Sequence, residues 1–162
     1  MAFGGVPVRE ALDGAVTAIA AAGADTPRLD AELLLGHALG VDRAALLMAP
    51  EREVTGPAVR AFQDLVRRRS VGREPVAYLV GRRGFRHLEL AVDARVLVPR
   101  PETELLVEVA LGLPRGARVV DVGTGSGAVA LALKDERPDL DVVATDVSQD
   151  ALAVARSNAA RL

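Results

Sequence analysis

The chain has no cysteine, which removes disulfides, thiolate catalysis and cysteine-based metal sites together. Its two histidines, His37 and His87, lie far apart, so no metal site is expected. Aromatic residues make up only 2% of the 162 residues, and the core must therefore be built from Leu, Val and Ala. No apolar run approaches the roughly 20 residues needed to span a bilayer. The first residues, Met1 to Gly5, lack the basic region and apolar segment of a signal peptide. A net charge of −2 argues against a whole-protein attraction to nucleic acid or membrane. These absences lead us to expect a soluble, cytoplasmic and monomeric protein. Half of the residues are apolar, enough for one medium domain or two small ones.

The charge is uneven. Between Arg60 and Arg100 ten arginines (60, 67, 68, 69, 73, 82, 83, 86, 95 and 100) face four acids (64, 74, 89 and 93). Such a stretch fits an acidic partner or RNA, and it fits a solvated helix face equally well.

Val8, Leu12, Val16 and Ile19 fall on one face of a helix over residues 7–22, stopped by Gly23. Thr26 and Pro27 fit an N-cap and first helical position, and Leu29, Leu33, Leu34 and Ala38 are expected to be the buried stripe before Gly40. A short helix spans Asp42 to Ala49. Thr55-Gly56-Pro57 opens another, with Val59, Phe62, Leu65 and Val66 inward. Residues 1–72 thus read as a helical domain. Residues 73–99 read as a connector: a helical turn near Val76–Val80, a strand pair or hairpin over 84–92, and a short extended piece at Val96–Val98. Residues 100–162 begin an α/β domain, with a helix from Glu102 to Leu111.

That last part centres on Arg118-Val119-Val120-Asp121-Val122-Gly123-Thr124-Gly125-Ser126-Gly127. Its β-branched residues predict a strand packed on both faces, followed by a glycine turn that opens a helix. A second strand, Val142–Thr145, ends on Asp146, nineteen residues after Gly127. This matches the roughly 20-residue spacing of a carboxylate that grips a ribose. Ser148 then fits the N-cap of a further helix. Gly123, Gly125 and Ala128 satisfy the G-x-G-x-x-A form of a dinucleotide site, which leaves an NAD-dependent oxidoreductase open. A P-loop is excluded, because no Gly-Lys-Ser/Thr follows. Asp121 at the strand mouth would repel a pyrophosphate, whereas S-adenosylmethionine carries no phosphate and has cationic sulfur and nitrogen.

Asp121 to Gly127 resembles motif I of the class I methyltransferases. More specific are Arg73-Glu74-Pro75-Val76-Ala77-Tyr78-Leu79-Val80-Gly81, Phe85, and Leu97-Val98-Pro99-Arg100-Pro101-Glu102-Thr103-Glu104. With Pro27-Arg28-Leu29-Asp30-Ala31-Glu32-Leu33-Leu34, they are similar to the glutamine N5-methyltransferases of the HemK/PrmC family. The resemblance covers nearly the whole chain. It implies an N-terminal helical bundle, a short β-hairpin connector and the start of a Rossmann-like, S-adenosylmethionine-dependent methyltransferase domain.

It also implies methylation of the glutamine side-chain amide in the Gly-Gly-Gln loop of class I peptide chain release factors, with the helical domain helping to hold that partner. By residue, Asp121, Gly123, Thr124, Gly125, Ser126 and Gly127 would line the donor, Asp146 would take its ribose, and Arg100, Glu102 and Thr103 would wall the pocket. The family's Asn-Pro-Pro-Tyr motif, which orients the acceptor amide, is absent. It is expected beyond Leu162, so no catalytic residue is assigned and the chain alone is expected to be inactive. The same residues are compatible with a ribosomal-protein glutamine methyltransferase, which shares these motifs, and with a non-catalytic interaction fragment.

Overall fold

A computed structural model describes residues 5–162. The reading of the first residues as lacking a signal peptide falls largely on Met1 to Gly4, outside the described residues. The chain divides into two compact units, with the boundary between Val80 and Gly81.

The first unit holds α1 (Val8–Ala21), α2 (Pro27–Leu39), α3 (Arg43–Met48), α4 (Gly56–Ser70) and α5 (Val76–Val80). A two-residue antiparallel pair, β1 (Val6–Pro7) with β2 (Glu53–Val54), closes it. Two residues are too few to show a period of two, so the sequence pattern does not announce this pair. It has a clear use. Pro7 offers no side-chain cap to α1, and the first amides of that helix, Val8 and Arg9, donate instead to the Arg52 and Pro50 carbonyls. Leu12, Ile19, Leu34, Leu35, Leu46, Val54 and Phe62 form the core with Leu79. Burying each large aliphatic side chain contributes about 2 kcal/mol.

Two expectations about α2 are corrected. Leu29 and Leu33 are about 40% and 39% exposed rather than buried, and the stripe is Ala31, Leu34 and Leu35. His37 is exposed as well. The helix is rotated because two acids face inward. Asp30 accepts from Arg69 Nε of α4 at 2.7 Å and from the Thr26 hydroxyl at 3.1 Å. Glu32, only 3% exposed, accepts from Arg28 Nε at 2.7 Å and from Arg43 Nε of α3 at 2.6 Å. Thr26 therefore sits at the N-cap position but uses its hydroxyl on Asp30, not on a backbone amide. Asp42 is a true cap, accepting from Ala45 N at 2.7 Å.

The second unit opens with a hairpin, β3 (Arg82–Phe85) and β4 (Leu88–Ala91), in register from Arg82↔Ala91 to Phe85↔Leu88. The extended piece expected at Val96–Val98 is not a strand. Val96 N donates to Asp93 O in a turn, and Arg95 closes on the Asp93 carboxylate. A 3₁₀ turn (Pro101–Thr103) leads into α6 (Glu104–Leu111), then β5 (Arg118–Val122), α7 (Ala128–Glu136), β6 (Asp141–Thr145) and α8 (Gln149–Arg161). β5 and β6 are parallel, with Val119↔Val142 and Val122↔Thr145 paired. The element order is that of a helical part, a hairpin and the opening βαβ of a class I methyltransferase domain.

The expectation that β5 is packed on both faces is corrected. Val119 is half-buried, but Val120 and Val122 are 54% and 81% exposed. With side chains alternating across the sheet, α7 covers one face of this strand pair and leaves the other bare.

The arginine-rich stretch is largely taken up internally. Arg67, Arg68, Arg69, Arg82, Arg86 and Arg95 each pair with an acid. Arg86 is the most consequential. It sits at the hairpin tip with φ +49°, its amide donates to Glu104 at 3.1 Å, and its guanidinium meets both oxygens of Glu136. Hairpin, α6 and α7 are thereby tied at one residue. No helix among the described residues is long and apolar enough to cross a membrane.

Burial raises the Glu32 carboxyl, and the hydrogen bonds from Arg28 and Arg43 more than reverse that, leaving it below the usual glutamate range. A carboxyl held low on folding adds stability that is present above its unfolded pKa and lost as pH falls through the folded one. Glu32→Gln should therefore cost about 1–2 kcal/mol at pH 7 in urea denaturation, since both arginines lose a charged acceptor but stay half in water. The gap from wild type should narrow below about pH 4. A gap that is constant with pH would show that Glu32 contributes by packing alone.

Candidate functional site

β5 ends at Val122 and the chain turns through Gly123 to Gly127 into α7. The three glycines have φ of +81°, +55° and +85°. At Gly127 a side chain is refused twice, by that left-handed backbone and by space. A Cβ there would lie 3.0 Å from Leu131 Cδ1 and 3.4 Å from Ala155 Cβ. Over Gly125 a Cβ would meet nothing within 4 Å, so this glycine answers to its φ and the space above it is open.

The turn is fixed by hydrogen bonds to the end of β6. The amides of Gly123 and Thr124 both donate to the Thr145 carbonyl at 2.9 Å. The Thr124 hydroxyl donates to Asp121 Oδ2 at 2.6 Å, and the Thr145 hydroxyl donates to the Asp121 carbonyl at 3.2 Å. Gly125 N donates to Asp146 Oδ2 at 2.9 Å, and Gly127 N donates to the Thr124 carbonyl at 2.8 Å.

Asp146 follows β6 and bridges two segments. Its Oδ1 accepts from Ser148 N at 2.9 Å, while its Oδ2 holds Gly125. These amides, Ser148 first and Gly125 second, keep its carboxyl below the usual aspartate range, so it is charged at neutral pH. Each oxygen keeps lone-pair capacity for one more donor. Ser148 also caps α8, accepting from Ala151 N at 3.2 Å. A cavity of about 360 Å³ lies beside the turn, lined among others by Gly127, Leu131, Thr145, Asp146 and Leu152.

Four amides between Gly123 and Gly127 are thus already engaged, at Gly123, Thr124, Gly125 and Gly127. A pyrophosphate held at such a turn needs free N–H groups aimed at it. Asp121 adds a carboxylate at the same mouth. The arrangement suits a hydroxyl-rich, phosphate-free and cationic ligand.

Of the residues expected from sequence to form the site, Asp121, Gly123, Thr124, Gly125, Ser126, Gly127 and Asp146 come together at this turn. Arg100, Glu102 and Thr103 lie on the 3₁₀ turn before α6, where Thr103 N donates to the Arg100 carbonyl at 3.0 Å. They take no part in the hydrogen bonding of the glycine turn. Asn158 is an addition from the structure. It is fully buried on α8 and donates to the Ser126 carbonyl at 2.9 Å. The sequence holds a signal for it: Ala151, Val154, Ala155 and Asn158 share one helical face, and an amide on an apolar stripe needs partners.

The profile of the PrmC N-terminal domain matches residues 10–81, and that of the methyltransferase small domain matches residues 101–162. A release factor glutamine methyltransferase of Koribacter versatilis is 45% identical over 158 residues, covering 96% of this chain and 56% of that protein. One from Mycolicibacterium smegmatis is 48% identical over 155 residues, covering 94% and 54%. One from Salmonella typhimurium is 47% identical over 140 residues, covering 85% and 50%. The chain thus carries a match to the PrmC N-terminal domain followed by a match to the methyltransferase small domain. It spans about half the length of the curated relatives it matches. The second profile takes in α6, the glycine turn, β6 and α8, and the hairpin falls between the two profiles.

Gly127→Ala should destabilise the fold by about 2 kcal/mol or more, because backbone strain and the Leu131 contact add. Gly125→Ala should cost about 1 kcal/mol, from strain alone. Urea denaturation of the two variants checks the order, and equal losses would mean that the Leu131 contact relaxes freely.

Proposed function

We propose that this chain supplies the S-adenosylmethionine-binding and substrate-docking portion of an enzyme that methylates the glutamine side-chain amide in the Gly-Gly-Gln motif of class I peptide chain release factors. The relatives' names support the reaction and the partner. One observation carries the donor: a glycine turn with four of its five amides engaged, beside an ionised Asp146 with an open site on each oxygen.

Each residue then has a role of its own. Asp146 accepts from the two ribose hydroxyls, one per oxygen, while Gly125 and Ser148 hold its plane. Asp121, with Oδ2 on Thr124, offers Oδ1 and its charge to the cationic methionyl end. Gly123 and Gly125 leave open space for the adenosyl part, since a Cβ on either would meet nothing within 4 Å beyond its own chain neighbours. Thr124, Ser126 and Gly127 shape the floor. Arg100, Glu102 and Thr103 form the wall on the side of α6. When bound, the donor supplies an electrophilic methyl group on a positively charged sulfur. An amide nitrogen is a weak nucleophile, and the contribution of the protein is to hold the two reactants in line. A release factor as substrate implies that the protein works in the cytoplasm.

Titration calorimetry with S-adenosylmethionine, S-adenosylhomocysteine and NADH tests the donor assignment. The two adenosyl ligands should bind, and NADH should not. Asp146→Asn should weaken S-adenosylmethionine by about 10–100-fold, because the hydroxyls lose a charged acceptor. Binding of NADH without S-adenosylmethionine would overturn the reading, and an unchanged affinity in Asp146→Asn would remove the ribose assignment. A purified class I release factor should bind the chain in the same instrument, and its failure to bind would count against the docking role.

A further inference from the structure

Asn158 is 0% exposed, in the last turn of α8. Its Nδ2 donates to two carbonyls, Ser126 at 2.9 Å and Ala91 at 3.0 Å. Its Oδ1 accepts from Ala91 N at 2.8 Å and from Arg161 at 3.3 Å. Both amide hydrogens are therefore used, and the carbonyl oxygen is doubly occupied. The side chain reads Ala91 as a neighbouring strand would, taking both its N–H and its C=O at the end of β4. The remaining hydrogen goes to the one carbonyl that lies between the left-handed Gly125 and Gly127.

We infer that Asn158 is a positioning residue for the glycine turn, fixing the Ser126 peptide, and through it the Gly125 and Gly127 amides, to the hairpin strand β4. The physical reason lies in the turn. Three positive-φ glycines at alternate positions give it few conformational constraints of its own. Gly123 and Thr124 are tied to Thr145, and Gly125 to Asp146, all on the β6 side. Asn158 supplies the tie on the other side, from α8 and the hairpin. With the Ser126 carbonyl released, the Ser126–Gly127 peptide can flip, and Gly125 N then leaves Asp146 Oδ2. This rests on the proposed reading only in taking the ligand of the turn to be S-adenosylmethionine.

Asn158→Asp keeps the shape and the acceptor for Ala91 N but turns both donations into carboxylate facing carbonyl. Two readouts are taken on the whole chain, well below its unfolding midpoint. The first is amide exchange of Gly125 and Gly127 relative to the amides of α7, which needs no ligand. The second is the calorimetric dissociation constant of S-adenosylmethionine. Exchange at Gly125 and Gly127 should rise at least about tenfold above any change in α7, and donor affinity should fall by about tenfold or more.

A folded variant whose turn amides exchange in step with α7 would show that Asn158 only packs α8, and would overturn the inference. So would an unchanged dissociation constant. If Asn158→Asp does not fold, Asn158→Ser, which keeps one short donor, takes its place under the same two criteria. A wild-type chain that binds no S-adenosylmethionine would defeat the donor reading, while the exchange comparison still decides the role of Asn158.

Discussion

The carboxylate of Asp146 stands between two backbone amides that come from different parts of the chain, Gly125 in the turn and Ser148 at the start of α8. Most of the second unit depends on that bridge. It sets the end of β6 against the turn after β5, and it starts α8 in the direction that brings Asn158 back to Ser126. A loop of hydrogen bonds results: turn to Asp146, Asp146 to Ser148, α8 to Asn158, and Asn158 to the turn. Each link is a modest contribution by itself, on the order of 1 kcal/mol. Closed into a ring they limit one another's motion, which a glycine-rich segment cannot do alone.

The arginines follow a similar logic. Read along the chain, residues 60–100 look like a basic surface. In the fold, Arg69 reaches α2 through Asp30, and Arg86 joins the hairpin to α6 and α7 through Glu104, Glu108 and Glu136. Arginine suits this work because its planar fork serves two acceptors at fixed geometry, as it does on Glu136. A chain with so few aromatics has little large apolar area to join its elements. Charged clamps between half-buried positions complete the joints that aliphatic packing leaves loose.

Much of this is legible in the sequence, and the limits have physical causes. The helices, the hairpin and the strand–turn–strand around Gly123 to Asp146 follow from period, caps and glycines, all of which act locally. The inward face of α2 does not, because Asp30 and Glu32 are buried by partners 39 and 11 residues away, and no local pattern reports a distant arginine. Leu29 and Leu33 are misplaced by pattern for the same reason. Within this chain only one face of β5 is covered, and a run of valines is compatible with either one or two covered faces. The residues of the glycine turn are marked by spacing alone. Asn158 escapes a motif search because its role lies in bonding to backbone, which carries no residue identity to search for.

The same strand–glycine-turn–helix frame serves both phosphate-bearing and phosphate-free ligands, and the difference lies in where the amides go. A phosphate site leaves its N–H groups pointing outward as a positive cup. Here Thr145 takes two of them on one carbonyl, Asp146 takes a third and Thr124 a fourth. The turn that remains carries carboxylates at Asp121 and Asp146, and Arg156 lines the cavity beside it. The glycines are retained in either case, since the backbone must pass through left-handed φ to make the turn at all. A G-x-G pattern therefore reports the path of the chain. The acid two residues before it, and the acid that draws in its middle amide, report the charge of what the path was built to hold.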